Sequence, residues 1–132
     1  MISFDTNVLV RLLVADDARQ LGPAMAILEE ADAAGEPCHI ADAVLCETAW
    51  VLASAYDATN ADQIAAFSAL VDDSRYGFED RDAVREALAS LERGKGDFSD
   101  YLIGVSSRRH GARTTYTFER VLRGHEAFTL IS

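Results

Sequence analysis

The side chains in this chain that could do chemistry are carboxylates. Asp5 follows the apolar start Met1-Ile-Ser-Phe and precedes a small polar pair, Thr6-Asn7, and a second, largely apolar run. That order reads as strand, tight turn and helix, with the acid where the strand ends. In open α/β sheets, ligands collect at the carboxyl ends of strands, beside helix N-termini. Glu47 has Ala43, Val44, Trp50 and Val51 as its helical neighbours three and four residues away. It is therefore expected to face the packed side of its helix, where a carboxylate without a cation is costly. Asp97 and Asp100 stack three apart at a helix start. Asp97 suits the N-cap and Asp100 the third helical position, where the dipole favours negative charge. The same rigid helix end could also hold a metal-binding acid. Glu119, after Thr114-Thr-Tyr-Thr-Phe, lies just beyond a strand.

In a parallel sheet these positions share one edge. Acids gathered there without matching bases repel one another, and a divalent cation resolves the repulsion. Oxygen-only ligands favour Mg²⁺ or Mn²⁺ over zinc. An ion of that kind needs no lysine or histidine as base, which suits a chain whose only lysine is Lys95. The net charge of −10 argues against a nucleic-acid partner, yet it is unevenly spread. Residues 1–92 hold 18 acids and 5 bases, whereas residues 93–123 hold seven bases against three acids. A basic segment enclosing a few acids suits a metal-dependent phosphodiesterase.

The elements that position these residues can be read from turn and periodicity signals. Helices are expected over Val8–Val14, from Gly22-Pro23 to Ala34, from Ala43 to Tyr56 with Asp42 as cap, and from an Asn60-x-x-Gln63 box to Val71. Two more run from Asp80 or Asp82 to Arg93 and from Asp97 to His110. Cys38–Ile40, Tyr76–Glu79, Thr114–Thr117 and Phe128–Ile131 read as strands. Strands alternating with helices imply a mostly parallel sheet covered on both faces. With 132 residues, the expectation is one domain over 1–132. No apolar run is long enough for a membrane span, and there is no secretory pattern at the N-terminus. Cys38 and Cys46 have no C-x-x-C spacing and read as reduced, packed thiols of a cytoplasmic protein.

Four motifs in order, Asp5-Thr6-Asn7, Ala41-Asp-Ala-Val-Leu-Cys-Glu47-Thr, Asp97-Phe-Ser-Asp100-Tyr-Leu-Ile-Gly and Tyr116-Thr117-Phe-Glu119, span nearly the whole chain. Together they resemble a PIN-domain ribonuclease, and within that family the toxin of a VapBC-type bacterial toxin–antitoxin pair. The resemblance implies a three-layer α/β fold with a central, mostly parallel sheet of four or five strands. It implies a Mg²⁺- or Mn²⁺-dependent endoribonuclease with one or two ions, in which Asp5, Glu47 and Asp100 match the metal-binding catalytic acids. Thr6, Asn7 and Thr117 match supporting polar residues, and Asp97 matches an additional acid. Glu119 stands where aspartate is usual, one methylene longer. A homodimer and an inhibitory antitoxin partner are implied as well. The basic segment adds Arg108 and Arg113 as candidate RNA phosphate contacts. Two other readings compete. One is a phosphohydrolase or phosphoacceptor domain using Asp5 as nucleophile, although position 7 is asparagine where such sites want a second acid. The other is a PIN-like binding module whose nuclease site has decayed.

Overall fold

The computed structural model describes residues 1–132 throughout. In chain order the elements are β1 (Ile2–Ser3), α1 (Thr6–Val14), α2 (Ala18–Ala33), β2 (Cys38–Ile40), α3 (Asp42–Ala55) and α4 (Asn60–Asp72). They continue with β3 (Tyr76–Phe78), α5 (Arg81–Arg93), α6 (Phe98–Arg109), β4 (Thr115–Thr117) and β5 (Phe128–Leu130). A single 3-10 turn, Arg120–Leu122, lies between the last two strands. The architecture is the expected three-layer α/β fold.

All strand pairings are parallel. β2 is the middle strand of a three-stranded sheet, with Cys38 opposite Ile2 on β1 and opposite Tyr76 on β3. β4 and β5 form a pair of their own, with Thr115 opposite Phe128. The number of strands is thus as expected, but their hydrogen bonding divides three and two rather than forming one ladder. Brevity is the physical reason on the β1 side. Only two residues of β1 are paired before the chain turns at Asp5, leaving little backbone for a further neighbour.

Two local readings change. α2 begins at Ala18, capped by Asp17, and carries Pro23 inside it rather than at its first turn. Pro23 is exposed, so its missing N–H removes a helix bond only at the surface. The capping box of α4 is Thr59 with Asp62, one residue earlier than expected, and both reciprocal bonds are made (2.9 and 3.1 Å).

The core holds the start of α6 in place. Phe98, the first residue of α6, stacks on Phe67 of α4 with ring centroids 4.8 Å apart. One turn on, buried Tyr101 turns its hydroxyl back to accept the Gly96 N–H at 3.0 Å. The Gly94-Lys-Gly96 break exists to admit that hydroxyl. A Cβ at Gly94 would stand 2.0 Å from it, and one at Gly96 would stand 2.8 Å from Leu122 Cδ2 and 3.0 Å from the Tyr101 ring. Asp97 and Asp100 are carried on the segment these contacts anchor.

This anchor predicts the outcome of a double-mutant cycle. Gly94→Ala should destabilise the fold by roughly 1–3 kcal/mol, the usual cost of overpacking, as read by urea unfolding. In a Tyr101→Phe background the same substitution should cost clearly less, because the clashing oxygen is gone. Equal costs in both backgrounds would show that the hydroxyl is not what requires glycine.

Candidate metal centre

Each of the five sequence-derived acids except Glu47 sits at the end of an element. Asp5 joins β1 to α1 and is the helix N-cap, its Oδ1 accepting the Val8 N–H at 3.0 Å. Thr6 and Asn7 are the first two residues of α1. Asn7, with Ser3, Phe4 and Arg11, borders an open cavity of about 640 Å³ reaching across to α2.

Glu47 lies in the second turn of α3 and is exposed. The expectation that it faces the packed side is overturned. Leu45, Thr48, Ala49 and Leu52 are the buried residues of α3, so the core stripe runs beside Glu47 and not beneath it. α3 is apolar over most of its circumference, and apolar neighbours therefore did not mark its inner face. Ala43 and Trp50, two of the residues used in that reading, are themselves exposed.

Asp97 occupies the N-cap position of α6 but makes no capping hydrogen bond with its side chain, and it is exposed. Asp100, in the first turn, is half-buried. Burial pushes its carboxyl above the ordinary aspartate value, and the charges of Asp97 and Glu119 push the same way against the pull of the Asp97 backbone N–H. Glu119 therefore lies within electrostatic reach of Asp100. Thr117 supports it from the backbone side: its Oγ1 accepts the Glu119 N–H at 2.9 Å. α3 packs against α6, and the Ser99 hydroxyl reaches the Cys46 carbonyl at 3.4 Å. The residue before Asp100 thus touches the residue before Glu47.

Asp97 and Glu119 are the two acids whose charges reach Asp100. No hydrogen bond joins Asp5 or Glu47 to them, and no three His, Cys, Asp or Glu side chains are grouped so as to hold a metal ion. A shared property is the absence of cations. None of the five acids has an ion-pair partner, while arginines neutralise acids elsewhere: Arg11 with Asp16 (2.8 Å), Arg75 with Asp73 (2.7 Å), Arg85 with Asp72 and Arg109 with Asp80 (both 2.6 Å). An oxygen-only, anionic and unneutralised donor set fits a hard divalent cation. Of the two candidate phosphate contacts, Arg108 is paired with Glu126 at 3.5 Å. Arg113 has no ion pair and donates to the Tyr116 hydroxyl at 3.3 Å.

Sequence reasoning missed a second group of acids at the ends of β2 and β3. Asp42 opens α3, and its carboxyl is raised by burial and by the charges of Glu79 and Asp80. The Asp42 N–H donates to the Glu79 carboxylate at 2.5 Å. Asp42 and Asp80 read as helix caps only, and Asp80 does cap α5. Their position after strands was the signal available. Unlike the first group, this one has an arginine bound to it through Asp80.

The sign of the Asp100 shift makes a prediction. A carboxyl raised above its unfolded value favours the protonated folded state, so its contribution is fully present below the ordinary value of 3.8 and is lost as pH rises through the folded value. The carboxyls of Asp16, Asp73 and Asp80 are lowered and act in the opposite sense, so the readout is a difference. In EDTA, Asp100→Asn should melt higher than the wild type at neutral pH, and the gap should close on acidification. A gap that is absent, or that widens toward acid, would contradict the assignment.

In comparison with known proteins, the PIN domain family model matches residues 2–125. No curated protein and no solved structure gives a significant match. With 124 of its 132 residues matched, the chain belongs to the PIN domain family, whose members are in general metal-dependent nucleases.

Proposed function

We propose that this PIN domain is a Mg²⁺- or Mn²⁺-dependent endoribonuclease acting as the toxin of a VapBC-type toxin–antitoxin pair. The observation that carries the catalytic half is Asp100 at the start of α6, half-buried and without an ion-pair partner, its carboxyl pushed up by burial first and then by the charges of Asp97 and Glu119. Asp5, Glu47 and Asp100 would hold the ion, with Asp97 and Glu119 available for a second. When bound, the ion supplies an activated water and charge stabilisation at the scissile phosphate.

The protein's own residues prepare this chemistry. Asp5 keeps one oxygen on the α1 N-terminus and has the other to offer. Asp100 is fixed in direction because the residues on either side of it, Ser99 and Tyr101, are each hydrogen-bonded to other segments. Thr117 orients the backbone at Glu119. Glu47, exposed on α3, would be the ligand supplied by the helix that packs against α6. Thr6 and Asn7 support Asp5 from the first turn of α1.

The partner half of the reading rests on surface chemistry. The cavity beside Asn7 has an apolar floor of Ile2, Phe4, Val8 and Ile27, with Arg11 and Arg19 at its margin. Such a groove suits the apolar face of an amphipathic antitoxin helix. Trp50 is 70% exposed on α3 and offers an anchor for homodimerisation. No helix is long and apolar enough to cross a membrane.

The experiment is RNA cleavage by amide variants in Mg²⁺ and Mn²⁺. Asp5→Asn, Glu47→Gln and Asp100→Asn should each lower the rate by about a hundredfold or more, and double variants should lose little further, because the ion acts as one unit with its ligands. Asp5→Asn is a clean probe, since asparagine retains the cap. Asp97→Asn and Glu119→Gln should cost less. Wild-type cleavage in excess EDTA, or full activity of Asp100→Asn, would overturn the mechanism.

A further inference from the structure

Apart from tyrosines, three polar side chains are buried in this fold: Thr48, Gln63 and Ser90. Ser90 is bonded to His125 at 2.9 Å, and the Thr48 hydroxyl is sealed in the core. Gln63 differs from both. Its spacing from Asn60 suggests a capping box, but Thr59 and Asp62 take that role, and Gln63 lies against the core with 5% of its surface exposed. Its amide makes no hydrogen bond within the protein, and its polar atoms are not sealed off. They open on a cavity of about 90 Å³ between α3, α4 and the start of α6. Packing decides what shares that cavity. Phe67, one turn after Gln63 and on the same face of α4, stacks on Phe98. The stack brings Gln63 alongside the first residues of α6, and Asp97 and Ser99 line the cavity with it. Ala49 and Ala53, small residues of α3, leave the space open. The Asp97 carboxylate makes neither a capping bond nor an ion pair, so no direct contact fixes its direction. The Ser99 hydroxyl donates to the Cys46 carbonyl, and its oxygen can still accept.

From this we infer that Gln63 is a positioning residue for the metal centre, its amide holding the Asp97 carboxylate through water in this cavity. The inference rests on the metal-dependent reading and adds to it a residue that none of the acid motifs contains. The cavity is far larger than the ~10–15 Å³ that one water needs, and a buried water also needs roughly two to four polar partners. The Gln63 amide, the Asp97 carboxylate and the Ser99 oxygen supply them. The amide N–H donates to water and water donates to the carboxylate, so Asp97 is oriented while it keeps its charge. A lysine or arginine at this position would neutralise the carboxylate and compete with the ion. Burying an amide with no hydrogen-bond partner is costly, and water shared with Asp97 removes that cost. A carboxylate already held in direction loses less freedom when it takes up a cation, which is how groups behind the ligands raise metal affinity.

The test reads metal affinity and the bridge separately. Gln63→Met keeps the volume and removes the amide. It should weaken Mn²⁺ binding about tenfold, the usual effect of losing a group that supports a ligand, while melting cooperatively in EDTA as the wild type does. Asp97→Ala should weaken Mn²⁺ binding as well, and the double variant should bind no more weakly than Asp97→Ala alone. Wild-type Mn²⁺ affinity in Gln63→Met, or losses that add in the double variant, would overturn the proposal. A second measurement needs neither metal nor a core substitution. In EDTA, the Gln63 side-chain amide protons of the wild type should show nuclear Overhauser effects to bound water, and Asp97→Ala, a change at an exposed residue, should abolish them. A wild type without these effects, or an Asp97→Ala protein that retains them, would overturn the bridge even if Gln63→Met failed to fold. The two claims fail differently. A wild type that shows the bridge but binds no Mn²⁺ refutes the metal reading, and one that binds Mn²⁺ without the bridge refutes the positioning role alone.

Discussion

Like charges held close together without a counter-charge constrain everything else at this site. Asp100 is half-buried at the start of α6, within electrostatic reach of both Asp97 and Glu119. A free chain would separate them. Here the separation is prevented by packing: Phe98 stacks on Phe67, Tyr101 is bonded into the glycine break, and Leu122 pins the segment after Glu119. The apolar core thus opposes an electrostatic repulsion that serves no structural purpose. Repulsion of this kind is retained where a cation or a proton is meant to relieve it.

The arrangement of the arginines follows the same division. Several acids away from the site are neutralised within the protein. Asp16 is bound by Arg11 and Tyr56, Asp73 by Arg75, and Asp80 by Arg109, and in each case the carboxyl is held below its ordinary value. The five candidate site acids have no such partner. Lys95, Arg113, Arg120 and Arg123, in the same segment of the chain as Asp97, Asp100 and Glu119, form no ion pairs either, and this leaves both charges free for a ligand that carries phosphate and a metal. An overall charge of −10 is therefore a poor guide to the partner, because most of the negative charge is far in sequence from the segment that would meet it.

Much of this was legible in the sequence, for identifiable reasons. Most helices and strands were marked by local chemistry: Asp80 and Asp97 at helix starts, Gly35 and Gly111 after helix ends with positive φ, and short runs with apolar ends such as Cys38–Ile40 in strands. Asp5 stood out because it follows an apolar strand at the edge where ligands collect, and Asp100 because a helix start holds an acid rigid. Glu47 was singled out because it was expected to face inward, and the structure turns it outward, since α3 is apolar on nearly every side and periodicity could not locate its inner face. The Asp42–Glu79–Asp80 group was missed because its members meet only when β2 and β3 lie side by side, a contact between residues 37 positions apart. Nor could spacing alone reveal which arginines were already engaged. Arg108 and Arg113 look alike in sequence, and only the fold gives Glu126 to the first.

The claim on which the account depends is that these unpaired acids bind a divalent cation. The most direct measurement is an electron paramagnetic resonance titration of Mn²⁺ into the purified chain, counting free ion against total. The account predicts saturable binding of one or two ions by the wild type, displaced by Mg²⁺, with Asp100→Asn weakening it at least tenfold. Unsaturable binding by the wild type, or an Asp100→Asn protein that takes up Mn²⁺ as the wild type does, would contradict it.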